Sequence, residues 1–439
     1  MNAEEYIYAC KNERRIWDRK GRITALVFGP LIKMLSKILK MFEMTLASNS
    51  LCHFHYCIKA LMDSLELFSG IGGLALGLEA AGFRHLEILE SDSTCIETLR
   101  QNIDRDLFKP TCKVPVANDV RKFSFRKYEG KVTLLSGGPP CQPFSFGGSH
   151  KAASDNRNMF PEAIRAVREV KPKAFVFENV PGIMRPKFRN YFEFLRLSLT
   201  YPEIDQSKED SWETKLAKLE QHHTSNKRSE GGYRVLVQSV NAADYGVPQS
   251  RQRVFMVGIR EDVSNCWNFP PPTHSAKALE LSKATGEYFE RHQIKSDMQR
   301  AKLLCAVDHQ QCLALKPWVT LRDAISDLPD PEINEIEMAS DHRFRKGARI
   351  YKGHTGSKLD LPSKTLKAGV NGVPGGENMM VKDDGSVRYL TIRECARVQT
   401  FPDEFIFHEI WSRAVRQLGN AVPVKLAEVI GESLRKALC

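Results

Sequence analysis

Ser64-Leu65-Glu66-Leu67-Phe68-Ser69-Gly70-Ile71-Gly72-Gly73-Leu74-Ala75 decides the fold class. A short apolar run stops at a glycine turn, and an apolar helical stretch follows until Gly82 closes it. Gly70, Gly72 and Ala75 fit G-x-G-x-x-A, where small residues let the backbone approach a ligand closely. The next apolar run, 86–90, ends in Glu90, twenty residues after Gly70. A carboxylate at that place suits the hydroxyls of a ribose. Strand, turn, helix and acid together predict a nucleoside-cofactor site. These residues do not separate NAD from S-adenosylmethionine.

Working outward, helix and strand signals alternate. The pattern predicts helices over 95–103 and 161–170, and strands over 132–136 and 174–178. Such alternation predicts an α/β fold on a parallel sheet. Residues 235–240 and 254–259 read as two more strands, and the polar stretch 202–232 as a surface insertion. The strand at 132–136 runs into Gly137-Gly138-Pro139-Pro140-Cys141-Gln142-Pro143-Phe144-Ser145. Two prolines fix φ and stiffen the approach, so Cys141 is presented at the sheet's carboxyl edge, where open α/β sheets bind ligands. A lone cysteine is usually a small core residue, but Pro-Pro and Gln-Pro on either side do not suit a core position. A thiolate there is a soft nucleophile. Glu178 ends the next strand at the same edge, placed for general acid work.

Composition bounds the rest. Lys and Arg number 64 against 53 Asp and Glu, a net charge of +11 that favours a polyanionic partner. The 11 cysteines are odd in number and hold no CxxC pair, which predicts free thiols in a reducing compartment. Cys52-His53-Phe54-His55-Tyr56-Cys57 matches no standard zinc spacing, so no metal is expected. No apolar run near the N-terminus approaches the ~20 residues that span a bilayer. Residues 1–61 read as an extension of unknown role, with Met62 as an alternative start. The chain turns irregular and rich in Pro, Gly and charge over 261–387, and helical periodicity returns over 388–439.

Six blocks in order make the chain resemble the DNA (cytosine-5) methyltransferases over essentially all of 62–439. They are Phe68-Ser69-Gly70-Ile71-Gly72-Gly73, Gly138 through Ser145, Glu178-Asn179-Val180, Gln249-Ser250-Arg251-Gln252-Arg253, Arg393 through Gln399 with Phe401-Pro402, and Gln417 through Pro423. The resemblance implies a Rossmann-like, S-adenosylmethionine-dependent methyltransferase sheet with a smaller, irregular target-recognition domain. Residues 62–260 would then form the catalytic and cofactor-binding domain and 261–387 the target-recognition domain. Residues 388–439 would return to the catalytic domain.

Roles follow residue by residue. Cys141 would attack C6 of a flipped-out cytosine, and Glu178 would protonate or hydrogen-bond N3. Arg253 would contact O2, Arg251 would help position phosphate or the catalytic loop, and Asn179 would support the pocket wall. Phe68 would stack on adenine, with Ser69, Gly70, Gly72 and Gly73 forming the turn that holds the methionine portion. Glu90 would take the ribose hydroxyls, and Ser91 would stand where the family often has a larger apolar residue beside adenine. Asp119 and Val120 would face the adenine edge, and Pro139, Asn420 and Val422 would close the cofactor pocket. Ser145, Arg343, Arg345, Lys346, Arg349 and Lys352 are the expected DNA contacts. The loop 142–158, with Lys151 and Arg157, would be a lid over the flipped base, and the glycine-rich loop 369–377 would approach a groove.

The cofactor implied is S-adenosylmethionine, without metal. The partners implied are double-stranded DNA and a restriction endonuclease sharing its site, with the enzyme a monomer in a bacterial cytosol. A transfer-RNA cytosine-5 methyltransferase is the alternative enzyme. A catalytically silent DNA-binding protein is the alternative outside enzymes.

Overall fold

The computed structural model describes residues 62–108, 119–140, 158–204, 210–225, 231–263, 266–294, 315–333, 341–352, 354–369 and 378–439. The extension 1–61, Cys141, Ser145, the lid residues through Arg157 and the glycine-rich loop from 370 to 377 lie outside them.

The glycine turn joins β1 (Met62–Leu67) to α1 (Gly73–Ala80), as its sequence predicts. Then come β2 (Phe83–Leu89), α2 (Ser93–Ile103), β3 (Leu134–Gly137), α3 (Phe160–Val170) and β4 (Ala174–Asn179). α4 (Arg189–Thr200), α5 (Trp212–Thr224), β5 (Tyr233–Asn241), β6 (Gln249–Ser250) and β7 (Gln252–Arg260) follow. Among the described residues the central sheet has six strands in the order β2-β1-β3-β4-β7-β5. β2, β1, β3 and β4 pair in parallel, whereas β7 is antiparallel to both its neighbours. The fold is therefore α/β with a mainly parallel sheet.

β3 and β4 are buried along their whole length, as strands covered on both faces must be. On one face Phe160, Val167, Val170 and Leu195 pack against Leu135, Phe175 and Phe177. On the other, Leu74 and Leu78 of α1 meet the C-terminal helix, which we label α11 (Val424–Leu438), through Leu426, Ile430 and Leu434. That packing is close. A Cβ at Gly77 would sit 2.3 Å from the Val424 carbonyl oxygen, so only glycine lets the two helices meet.

The polar stretch 202–232, read as a surface insertion, carries a mostly exposed helix, α5, capped by the Ser211 hydroxyl, which buries Leu216 and Leu219 against Leu197 of α4. Two leucines three apart carry little periodicity without the partner surface.

Beyond β7 come small elements: β8 (His274–Ser275), α6 (Ala276–Thr285), α7 (Glu287–Arg291), β9 (Lys316–Pro317), α8 (Leu321–Ile325), β10 (Ser357–Lys358), β11 (Ser363–Lys364), β12 (Met379–Val381) and β13 (Val387–Tyr389). β11 pairs with β6, and Leu321, Leu366, Met380 and Leu390 share a core with α2, with α9 (Ile392–Val398) and with α10 (Trp411–Asn420).

Candidate active site

The cofactor turn is built from backbone conformations that side chains resist. Phe68, Gly70 and Gly72 all have positive φ, at 55°, 56° and 83°. Phe68 is the exception to the glycine rule, and holding an aromatic residue left-handed costs about 1–2 kcal/mol. Such strain persists where a ring must be presented in one direction. Gly70 faces open space, so its φ is what requires glycine. Gly73 is different: a Cβ there would lie 2.3 Å from the carbonyl oxygen of Val422, so the C-terminal segment closes directly over the turn.

Glu90 spans this turn. Its Oε2 accepts from the Gly70 N–H at 2.7 Å, and its Oε1 from the Ser91 and Asp92 N–H groups at 2.7 and 2.8 Å. A carboxylate offers about four lone pairs, so one remains for a hydroxyl donor. Burial pushes the Glu90 pKa up, against the pull of those three amides. Ser69 Oγ is buried and has no hydrogen-bond partner among the described residues. An orphaned hydroxyl, an open glycine and a carboxylate with spare capacity fit a polar nucleoside ligand. Asp119 caps a 3-10 turn at Val120–Lys122 and is held by the Arg121 guanidinium through three contacts of 2.9, 3.0 and 2.7 Å. The Arg121 pair lowers its pKa to about 2, so it is an anion over the working pH range. Val120 is buried beside it, Ser91 is exposed, and Asn420, the last residue of α10, is exposed too.

At the carboxyl edge of β4, Glu178 Oε1 receives the Arg253 Nε–H at 2.7 Å, with both side chains about a tenth exposed. The reversed direction of β7 makes this pair. Its first residues lie against the last residues of β4, with Asn179 opposite Val254. The pair faces the proline loop. A Cβ added at Gly138 would lie 3.5 Å from Glu178 Oε2, and the Asn179 side-chain amide donates to the Pro139 carbonyl at 3.0 Å. Pro139 is buried and Pro140 exposed. Burial draws the Arg253 pKa down while Glu178 holds it up, which keeps the guanidinium charged and aimed.

Arg251 departs from its expected role. It is fully buried and cannot reach a phosphate in this arrangement. Its guanidinium donates to the carbonyls of Gly419 at 2.7 Å, Ala421 at 3.0 Å and Leu366 at 3.2 Å. It therefore positions the segment that carries Asn420 and Val422. The sequence blocks include two partners of this hub without giving either a role. Gln249 Oε1 accepts from the Leu366 N–H at 3.0 Å, and Gln249 Nε2 donates to Gln399 Oε1 at 3.0 Å. The signal was present, because alternate residues 249, 251 and 253 share one face of an extended chain.

Arg343, Arg345, Lys346, Arg349 and Lys352 are all exposed. Arg345 stacks on the Trp411 ring at 4.3 Å, which leaves its N–H edge free for an anion. Neighbouring Asp341 pairs with Arg393, and His342 Nδ1 lies 2.7 Å from the Thr391 hydroxyl, so the start of this basic stretch is fastened to α9. Among the described residues there is no cluster suited to a metal ion, and no helix is long and apolar enough to cross a membrane.

The sequence model of the C-5 cytosine-specific DNA methylases matches residues 62–200 and 215–436. The chain is 31% identical over 384 residues to the Type II methyltransferase M.NgoMIV of Neisseria gonorrhoeae, covering 85% of this chain and 97% of that one. It is 30% identical over 404 residues to the Type II methyltransferase M.MthTI of Methanothermobacter thermautotrophicus, covering 86% and 98%. Among solved structures, the Entamoeba histolytica methyltransferase EhMeth superposes with a TM-score of 0.51 at 15% identity, over 87% of this chain and all of that one. The Schizosaccharomyces pombe Dnmt2 methyltransferase gives 0.50 at 17% identity, over 86% and 98%. These two likenesses concern the fold.

Proposed function

The chain belongs to the C-5 cytosine-specific DNA methylases, and on that premise we propose that it methylates C5 of cytosine within one short sequence of double-stranded DNA, using S-adenosylmethionine. The Glu178–Arg253 pair beside Gly138 and Pro139 supports this reading, because it sets an acid and a cation against the loop that precedes Cys141 in the sequence. S-adenosylmethionine supplies the electrophilic methyl group when bound. Glu90 and Asp119 offer carboxylates to its hydroxyl and amino groups, and the ring of Phe68 offers a stacking face.

Cytosine C6 is inaccessible inside a duplex, so the base is flipped into the pocket. The Cys141 thiolate adds to C6 while Glu178 shares a proton with N3, which neutralises the charge that builds on the ring. Arg253 holds Glu178 and donates toward O2. The adduct makes C5 nucleophilic toward the methyl group that bound S-adenosylmethionine would supply; loss of the C5 proton to a base then re-forms the C5–C6 double bond and breaks the bond from C6 to Cys141. Arg251 keeps the C-terminal segment against the cofactor turn throughout. Exposed Arg343, Arg345, Lys346, Arg349 and Lys352 supply phosphate contacts, which position the duplex without reading its sequence. The Type II relatives make a restriction endonuclease with the same target a natural companion.

Expression in a host without cytosine methylation, followed by base-resolution mapping of 5-methylcytosine, tests this reading. Modified cytosines in one short motif are expected. An unmodified genome with modified transfer RNA would transfer the reading to the RNA enzyme, and neither product would leave a silent DNA binder.

Two more outcomes follow. Binding of S-adenosylmethionine uses the ionised Glu90, whose pKa is raised by burial. Protonation then competes with the ribose, so affinity falls on acidification from a higher pH than an ordinary carboxylate gives. Titration calorimetry across that range checks this, and Glu90→Gln should bind weakly with no acid limb. Lys346→Ala with Lys352→Ala should weaken DNA binding and lower the slope of log affinity against log salt by about 2, one per lost phosphate contact. An unchanged slope removes both lysines from the interface.

A further inference from the structure

Beneath the cofactor turn lies a carboxyl group that the mechanism above does not use. Glu66 in β1 is fully buried, two residues before Phe68. It stands opposite Ser136 of β3 and Ile88 of β2. Ser136 Oγ is 2.8 Å from Glu66 Oε2 and 3.3 Å from the Leu65 carbonyl oxygen, while Glu66 Oε1 has no hydrogen-bond partner among the described residues. The Ala75 amide in the first turn of α1 bears on the same carboxyl, as does Glu79 one turn further on. His85 of β2 completes the surroundings, with Nε2 3.1 Å from the Ala75 carbonyl and Nδ1 3.0 Å from the Ser64 hydroxyl.

An ionised carboxylate in this place, with one oxygen unpaired and another carboxylate nearby, is strongly disfavoured. Burial pushes its pKa up to about 8, Glu79 adds to the rise, and Ser136 and Ala75 oppose it. Ser136 has one proton and two acceptors in reach. With Glu66 protonated, its O–H donates to Ser136 Oγ, and the Ser136 O–H is free for the Leu65 carbonyl. With Glu66 ionised, the Ser136 proton turns to the carboxylate and the Leu65 carbonyl is released.

Three elements of the site depart from this point. β1 runs into residues 68–73, β3 runs into residues 138–140, and α1 starts where the turn ends. We propose that Glu66 is a positioning residue for methyl transfer, a neutral acid that fixes the cofactor turn against the loop leading to Cys141. This rests on the function proposed above and adds a proton-dependent latch to it. The latch acts on the alignment of the two loops more than on cofactor affinity, since Glu66 lies below the turn.

The test uses the full chain as wild type, Glu66→Gln and Glu66→Leu. Single-turnover methyl transfer to duplex DNA and calorimetric binding of S-adenosylmethionine are followed from neutral to alkaline pH. Wild-type transfer should fall as pH rises through about 8, reaching about a tenfold loss one unit above it, when about a tenth of Glu66 stays protonated. Cysteine ionisation changes the rate in the opposite direction, because thiolate increases with pH. Glu66→Gln keeps a neutral donor for Ser136, so it should stay within about threefold of wild type at neutral pH and lose the alkaline fall. Glu66→Leu should bind cofactor yet transfer about a hundredfold more slowly, the scale expected of a misplaced reacting group. The same alkaline fall in Glu66→Gln, or a wild-type rate in Glu66→Leu, would overturn the proposal. Should Glu66→Leu fail to fold, the pH comparison of Glu66→Gln decides. A wild type without any transfer activity would sink the functional reading instead, and the two failures are thereby distinct.

Discussion

Cys141→Ser should lower methyl transfer by about four orders of magnitude or more, with duplex affinity held within about threefold. C6 of cytosine is a poor electrophile, and only a soft, partly ionised nucleophile adds to it at neutral pH. A serine hydroxyl is far less acidic, and the groups at this edge do not supply a strong base for it. Glu178 is engaged with Arg253 at 2.7 Å. Pro139 and Pro140 set the path of the loop, and the substitution changes neither, so the serine is delivered to the same place. Incorporation of labelled methyl groups into DNA, alongside a mobility-shift titration, measures both quantities. Turnover above about one per cent of wild type would refute the nucleophile assignment. Loss of DNA binding in parallel would show that the substitution disturbs the loop rather than the chemistry.

Arg251→Met should cost about 3–5 kcal/mol of stability and weaken S-adenosylmethionine binding as well. The guanidinium satisfies three buried carbonyls, at Gly419, Ala421 and Leu366. Each buried acceptor left without a donor costs about 1–3 kcal/mol, and a thioether supplies none. Gln399 Nε2 also donates to Ala421 at 3.2 Å, so that carbonyl is partly rescued and the sum stays below the maximum. The segment released carries Asn420 and Val422, and the Val422 carbonyl lies over Gly73. Stability and cofactor affinity should therefore fall together. Arg251→Lys should recover part of the loss, because an ammonium reaches one or two of the three carbonyls. Urea midpoints and calorimetry check this. A variant of wild-type stability with normal cofactor binding would remove Arg251 from the scaffold.

Much of the site was legible because it is local. The turn at 68–73 needs left-handed backbone at fixed offsets, and glycines at 70 and 72 announce that. Glu90 follows the end of β2, where side chains face a ligand edge by default. Arg251 was legible as a residue of interest but not in its role. Its acceptors lie 115 to 170 residues away in sequence, and no spacing announces which carbonyls a guanidinium will meet. Glu66 was read as part of an apolar strand, and only the burial of its carboxyl beside Ser136 makes it notable. α5 escaped notice because its two buried leucines need Leu197 to complete a face.

By itself, then, the sequence determined the strand–turn–helix unit, the proline loop and the order of the six blocks, all of which rest on φ restrictions and on apolar runs of strand and helix length. The tertiary structure decided the direction of β7. An apolar strand reads the same in either direction, since its two-residue period has no polarity. Yet the reversal is what lays the start of β7 against the end of β4, and so sets Arg253 on Glu178. The closure of the C-terminal segment over Gly73 was settled the same way, by the absence of a Cβ on one chain and the presence of a carbonyl on another, 349 residues later in the fold's own order from 73 to 422.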